Sequence, residues 1–138
     1  MRILVTGSRD WTDARTLERA LDGAVRGLPA DELVILVHGG NPHGADALAH
    51  AEGLERGWVI EVHEALWTVY NLAAGAVRNQ EMVNTKPDVC VAFIRPCRRA
   101  GACKDANGRA KPKPHDSHGT ADCIERAKAA GIDVREYR

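Results

Sequence analysis

The sequence predicts a three-layer α/β domain, a five-stranded parallel sheet in the order 3-2-1-4-5 with helices on both faces. Three observations carry that expectation. Short apolar runs alternate with helix-length segments whose apolar residues recur every three or four positions. The runs are almost continuously apolar rather than alternating, as strands covered on both faces should be. Glycines fall where strands should hand over to helices.

The elements follow in order. Arg2–Thr6 is an apolar run stopped at Gly7 and reads as the first strand. Ala14, Leu17, Leu21, Ala24, Val25 and Leu28 make a helical face, with Thr12 or Asp13 available as its N-cap and Pro29 beyond its end. Leu33–Val37 is a second strand, stopped by His38-Gly39-Gly40. Ala45, Leu48 and Ala49 begin a second helix that should end near Gly57. Trp58–Val62 reads as a third strand and 73–84 as a third helix, with Pro87 at its exit. Val89–Ile94, the most apolar run, should be the central strand. A last helix is expected over 120–130, with Gly131 suited to the left-handed position after it, and Ile132–Tyr137 closes the sheet. Right-handed crossovers make 3-2-1-4-5 the simplest order.

One stretch departs from the pattern. Residues 95–118 hold seven Lys or Arg against two Asp, a net of plus five, with almost nothing apolar, so the rest of the chain is minus five. At 24 residues this exceeds an ordinary connection, which identifies a functional lid or a disordered segment. It leaves the carboxyl end of the fourth strand and should hang over the binding crevice.

Composition narrows the classes. The 138 residues make one domain, read as 1–138 with a basic insertion at 95–118. Basic and acidic residues number 19 each, which gives no support to a large nucleic-acid footprint. No leader pattern and no long apolar run is present, so a membrane span is not expected. Four cysteines, one of them (Cys90) inside an apolar strand, argue against a disulfide framework and for a reducing, cytoplasmic setting.

In such a sheet, ligands bind outside the carboxyl ends of the strands, where strand order reverses. The first strand delivers Gly7, Ser8 and Arg9 there. Gly7 permits close backbone approach, and Arg9 can grip a phosphate through paired hydrogen bonds. Gly39, Gly40 and Gly44, ahead of Asp46, lie between the second strand and second helix, where free amides and the helix dipole attract an anion. Asp46 could cap that turn or hold a ribose hydroxyl. The segment is not a P-loop, because the Gly-Lys-Ser/Thr ending is missing. Arg78 and Asn79 lie on the third helix. Composition alone makes Arg78 a surface residue paired near Glu81. Gly119 and Thr120 open the last helix in a similar way, as a second anion cradle or as a plain cap with Thr120 as N-cap. Trp11 and Trp67 read equally as core anchors or as residues flanking a base.

Cys97, Cys103, His115 and His118 could together ligate a tetrahedral zinc. Five residues separate the two cysteines, looser than the usual two to four, and a basic stretch divides cysteines from histidines. Solvated loop residues are the expectation, with no resident metal or cofactor.

The stretches Ile3–Trp11, His38–Asp46, Ala74–Asn79 with Met82, and Gly119–Asp122 together resemble the SLOG superfamily, a Rossmann-like group that includes the LOG cytokinin-activating enzymes and the DNA-processing protein DprA. The resemblance is greatest to its YspA/cpYpsA-related branch. It implies binding of a nucleotide or nucleotide derivative. LOG enzymes hydrolyse the N-glycosidic bond of nucleoside monophosphates, and their functional arginine falls on Arg78. Their helix-opening glutamate falls on Cys123, a poor substitute for a carboxylate, so catalysis here would need Arg78 with Asp122 or Asp46. The likeness to DprA implies a single-stranded nucleic-acid module as an alternative, though the basic loop lacks aromatic residues for base stacking. LOG-like relatives also imply a homodimer, with Val69, Tyr70 and Leu72 as the pairing region.

Overall fold

The computed structural model describes residues 1–138. In chain order the elements are β1 (Arg2–Gly7), α1 (Ala14–Val25), β2 (Ile35–His38), α2 (Gly44–Glu55), β3 (Val59–Val62), α3 (Trp67–Tyr70), a 3₁₀ turn (Asn71–Ala73), α4 (Ala74–Asn84), β4 (Val89–Phe93), β5 (Cys103–Lys104), β6 (Ala110–Lys111), α5 (His118–Ala129) and β7 (Asp133–Tyr137). The main sheet is five-stranded, in the order β3-β2-β1-β4-β7. All four pairings are parallel. With β7 as its fifth strand, this is the expected 3-2-1-4-5 Rossmann-like arrangement.

Strand alternation divides the core. Side chains on a strand point to opposite faces in turn, so Ile3 and Val5 of β1 pack with Val89, Val91 and Phe93 of β4 under α1 and α2. Leu4, Val37 and Cys90 face the other way, against Met82 and Val83 of α4 and Cys123 and Ala127 of α5. All five residues of β4 are buried, as its composition required of a central strand. Trp11 is 4% exposed and packs its ring 5.2 Å from Phe93, which makes it a core anchor. Each large apolar side chain buried this way contributes roughly 1.5–3 kcal/mol.

Helix ends differ in detail from the sequence reading. Asp13 is the N-cap of α1 and accepts from the Thr16 amide at 3.0 Å. Helix α5 begins two residues earlier than expected, with Ser117 and not Thr120 at the N-cap. Before α4 the chain makes the short α3 and a 3₁₀ turn, which leave Trp67, Val69, Tyr70 and Leu72 exposed. The basic stretch is folded: β5 and β6 pair antiparallel, and Pro96 bridges Asp116. No helix is long and apolar enough to cross a membrane.

Candidate functional site

A crevice of about 570 Å³ opens at the carboxyl ends of β1 and β4, the point where strand order reverses. That volume suits a drug-sized or nucleotide-sized ligand. Its walls include Gly7, Ser8 and Arg9 after β1, Gly39 and Asp46 from the α2 turn, Arg78 and Asn79 of α4, and Gly119, Thr120 and Asp122 of α5. The sequence-derived groups therefore converge, with two exceptions: Gly40 and Gly44 do not line it.

The glycines explain why. Gly44 has φ +71°, and a Cβ there would collide with the Ser8 carbonyl. A Cβ on Gly39 would strike the Arg78 guanidinium, and one on Gly7 would strike the Ala45 Cβ. These positions are bare because the chain packs against itself there, before any ligand arrives. The start of α2 and the turn before it are partly occupied from within. The Ala45 amide donates to the Ser8 carbonyl at 3.3 Å, and the Asn41 amide donates to Asp46 Oδ2 at 3.2 Å. Asp46 is 8% exposed, and burial pushes its carboxyl above the usual range, an effect opposed by the Asn41 amide and by Arg78. In the turn that leads into α2, where the sequence reading placed a phosphate, an amide is therefore taken by the protein's own Asp46 side chain.

Beneath the same turn lies a histidine pair that the sequence did not single out. The Gly40 amide donates to His38 Nδ1 at 2.9 Å, so the ring proton must sit on Nε2, which lies 2.9 Å from His50 Nδ1. Burial first, then the charges of His50 and Arg78, lower the His38 pKa to about 4. A neutral imidazole of fixed tautomer thus supports the Gly39-Gly40 turn.

Arg78 is directed inward, contrary to the surface pairing with Glu81 that composition favoured. Its Nη1 donates to the Gly39 carbonyl at 2.7 Å and its Nε to Asn79 Oδ1 at 3.0 Å. Asn79, 3% exposed, donates in turn to the Gly119 carbonyl at 3.2 Å and to Asp122 Oδ2 at 2.9 Å. Its hydrogen-bonding groups are committed to holding Arg78 and Asp122, so Asn79 acts as a positioning residue. Asp122 also accepts from Arg126 Nε at 2.9 Å, through the same Oδ2. Cys123, one residue on, is fully buried against Cys90 and faces the core, so the crevice receives Asp122 in its place. Arg9, by contrast, is exposed at the crevice wall and its side chain makes no hydrogen bond or ion pair within the chain.

The start of α5 is the freer helix terminus. Ser8 and Ser117 tie it to the sheet: the Arg95 amide donates to Ser8 Oγ at 2.9 Å, Ser8 Oγ lies 2.9 Å from Ser117 Oγ, and Ser117 donates to Thr120 Oγ1 at 3.0 Å. Because Ser8 accepts from Arg95 and Ser117 donates to Thr120, the middle proton belongs to Ser8. No acceptor within the chain takes the amides of His118, Gly119 and Thr120, and a Cβ on Gly119 would meet nothing within 4 Å. Here open amides and open space coincide, the arrangement that favours an anion.

Two charged wall residues were missed. Arg98 and Arg99 enter from the basic stretch, with Arg98 Nε 2.8 Å from Asp10 Oδ2, an ion pair too bent to make a hydrogen bond. Their position after the fourth strand was the available signal. Trp67, 51% exposed, and Leu72, 97% exposed, form an apolar lip. Cys97, Cys103, His115 and His118, expected as solvated loop residues, stand together in the structure. One ligand atom from each gathers within 4.8 Å of the others. The cysteine spacing misled because pairing of the outgoing and returning halves, with the Cys97 amide donating to the His115 carbonyl at 2.7 Å, brings the two halves side by side.

Fold and crevice together define a Rossmann-like α/β domain with a polar ligand pocket at its switch point. The family described as YspA, cpYpsA-related SLOG matches residues 1–70, the half that carries β1 and the α2 turn. Over 141 aligned residues the chain is also 36% identical to the Gene 61 protein of Mycobacterium phage D29, covering 99% of this chain and 95% of that protein. No solved structure matches it. This chain belongs to the YspA, cpYpsA-related SLOG family.

Proposed function

We propose that this protein binds a nucleotide or nucleotide-derived small molecule in the switch-point crevice, a role that its Rossmann-like fold and SLOG membership support. The single observation that carries the assignment of subsites is the start of α5, where three amides lack an acceptor within the chain and the space beside Gly119 is open. A phosphate rests there, with Arg9 and Arg78 supplying countercharge. Trp67 at the lip offers a flat surface for a base. Asp122, held by Asn79 and Arg126, is oriented to accept from a ribose hydroxyl. Titration calorimetry with nucleoside monophosphates, NAD and ADP-ribose tests this reading. Saturable binding to the wild type that weakens in Arg78→Ala supports it, and absence of heat with every ligand refutes it.

A hydrolytic reading rests on Asp46. N-glycosidic cleavage uses carboxyl groups as acid, base or charge stabiliser, and Asp46 is a buried carboxyl held toward its neutral form near Arg78. Incubation with nucleoside monophosphates should then release free base and ribose 5-phosphate, and Asp46→Asn should abolish release. If base never appears while binding persists, the protein is a sensor. A single-stranded nucleic-acid role would instead produce a steep fall of affinity with salt, and the presence of Asp10, Asp46 and Asp122 in the same crevice weighs against it. We also propose that a second copy covers the exposed Val69, Tyr70 and Leu72, giving a homodimer in which the partner closes the lip of the crevice.

A further inference from the structure

We propose that Cys97, Cys103, His115 and His118 bind one zinc ion, which staples the basic 95–118 stretch into the wall of the crevice. The four ligand atoms lie within 4.8 Å of one another. In tetrahedral zinc with bonds of about 2.3 Å to sulfur and about 2.0 Å to nitrogen, the ligand–ligand edges are about 3.8 Å for two sulfurs and about 3.3 Å for two nitrogens. The observed Sγ–Sγ separation is 3.9 Å and the His115 Nε2–His118 Nε2 separation is 3.1 Å. Two edges of the tetrahedron are therefore already formed.

The surroundings agree with the edges. His115 Nδ1 lies 3.0 Å from the Pro112 carbonyl. A carbonyl can only accept, so the ring proton is on Nδ1 and the lone pair of Nε2 points at the cluster. A metal-bound histidine is commonly oriented in this way. Both thiols are free and the sulfurs stand well beyond disulfide bonding distance. The two-sulfur, two-nitrogen set with no open position suits zinc in a structural role, and softer or harder ions less well. Binding transfers two thiol protons to solvent and leaves a site of no net charge.

The stretch also has need of such a staple. Its 24 residues are nearly devoid of apolar side chains and carry a net plus five, so packing contributes little to holding them. Its strands, β5 and β6, are two residues each. A small segment without its own core is usually held by a metal or a disulfide. This inference does not depend on the nucleotide reading, because its test measures the metal alone.

The full chain, purified under reducing conditions without a histidine tag, should contain equimolar zinc by mass spectrometry of the metal. After chelation and reloading with cobalt(II), it should show the intense visible absorption of a tetrahedral ion together with thiolate-to-cobalt charge transfer in the near ultraviolet. Cys97→Ser and His118→Ala should lose most of that absorption, while Cys90→Ala should keep all of it. Metal removal should also expose Arg98, Arg99 and Lys104 to trypsin while the rest of the domain stays resistant. A metal-free purified chain that remains folded and gives no tetrahedral cobalt spectrum would overturn the proposal. So would a spectrum unchanged in Cys97→Ser, or an intact-mass result showing a Cys97–Cys103 disulfide in a chain that binds no metal after reduction. If a variant fails to fold, the cobalt titration of the wild type still decides between these outcomes.

Discussion

At the scale of single residues, the site is built mostly from groups that hold one another. His38 illustrates this most sharply: its Nδ1 accepts from the Gly40 amide, which a protonated ring cannot do. Its folded pKa, about 4, lies below the ordinary histidine value, so its stabilising contribution is complete above about pH 6.5 and is lost as pH falls through about 4. The contribution is on the order of 3 kcal/mol. Asparagine retains an acceptor near the Nδ1 position and does not titrate. Denaturant midpoints measured from pH 7 to pH 4 should therefore fall in the wild type and fall less in His38→Asn. Arg9 stands at the opposite extreme, with no partner in the chain. Arg9→Ala should leave the melting temperature unchanged and weaken nucleotide binding by about tenfold or more, the loss of one charge-assisted phosphate contact. Calorimetry and thermal unfolding on the same preparation check both halves. The sequence offered Arg9 and Arg78 alike as phosphate contacts, and only their partners in the fold distinguish the free one from the braced one.

At the scale of elements, the two glycine-bearing helix starts look alike in sequence and differ in space. Gly44, at the start of α2, has φ +71° and lies against the Ser8 carbonyl. Gly44→Ala should therefore destabilise the fold by about 1–3 kcal/mol or more, read as a lower urea midpoint. Gly119, in the first turn of α5, has empty space beside it. Gly119→Leu should fold normally and lose nucleotide binding, because its side chain fills the volume that the phosphate needs. The element types and their order were legible because burial on both faces writes itself into strands as continuous apolar runs, and packing on one face writes itself into helices as a three-to-four repeat. Boundaries were less so. Ser117 replaces Thr120 as N-cap of α5 because the Ser8–Ser117 contact, between residues 109 apart, fixes where the helix starts.

At the scale of the whole molecule, one face remains open. Val69, Tyr70 and Leu72 are exposed beside the crevice lip, and Leu72 is almost wholly in water. If a second copy covers them, Leu72→Asp should convert a dimer to a monomer in sedimentation equilibrium without lowering secondary-structure content by circular dichroism. A wild type that sediments as a monomer at all concentrations removes the self-association proposal. The basic stretch shows the limit of linear spacing in another way. Five residues between Cys97 and Cys103 argued against a shared site, yet antiparallel pairing places the Cys97 amide on the His115 carbonyl and Cys103 opposite Lys111. Spacing rules describe compact knuckles, whereas a hairpin can gather ligands from its two arms at almost any separation along the chain. The sequence by itself determined the alternation of strands and helices, the parallel sheet and its strand order, since these follow from periodicity and the handedness of crossovers. Only the tertiary structure decided which glycines serve packing and which leave room, that Asp46 takes an amide of the turn before α2, and that two thiols meet two imidazoles. Those outcomes depend on which distant groups come within a few ångströms, and no local pattern of residues encodes that distance.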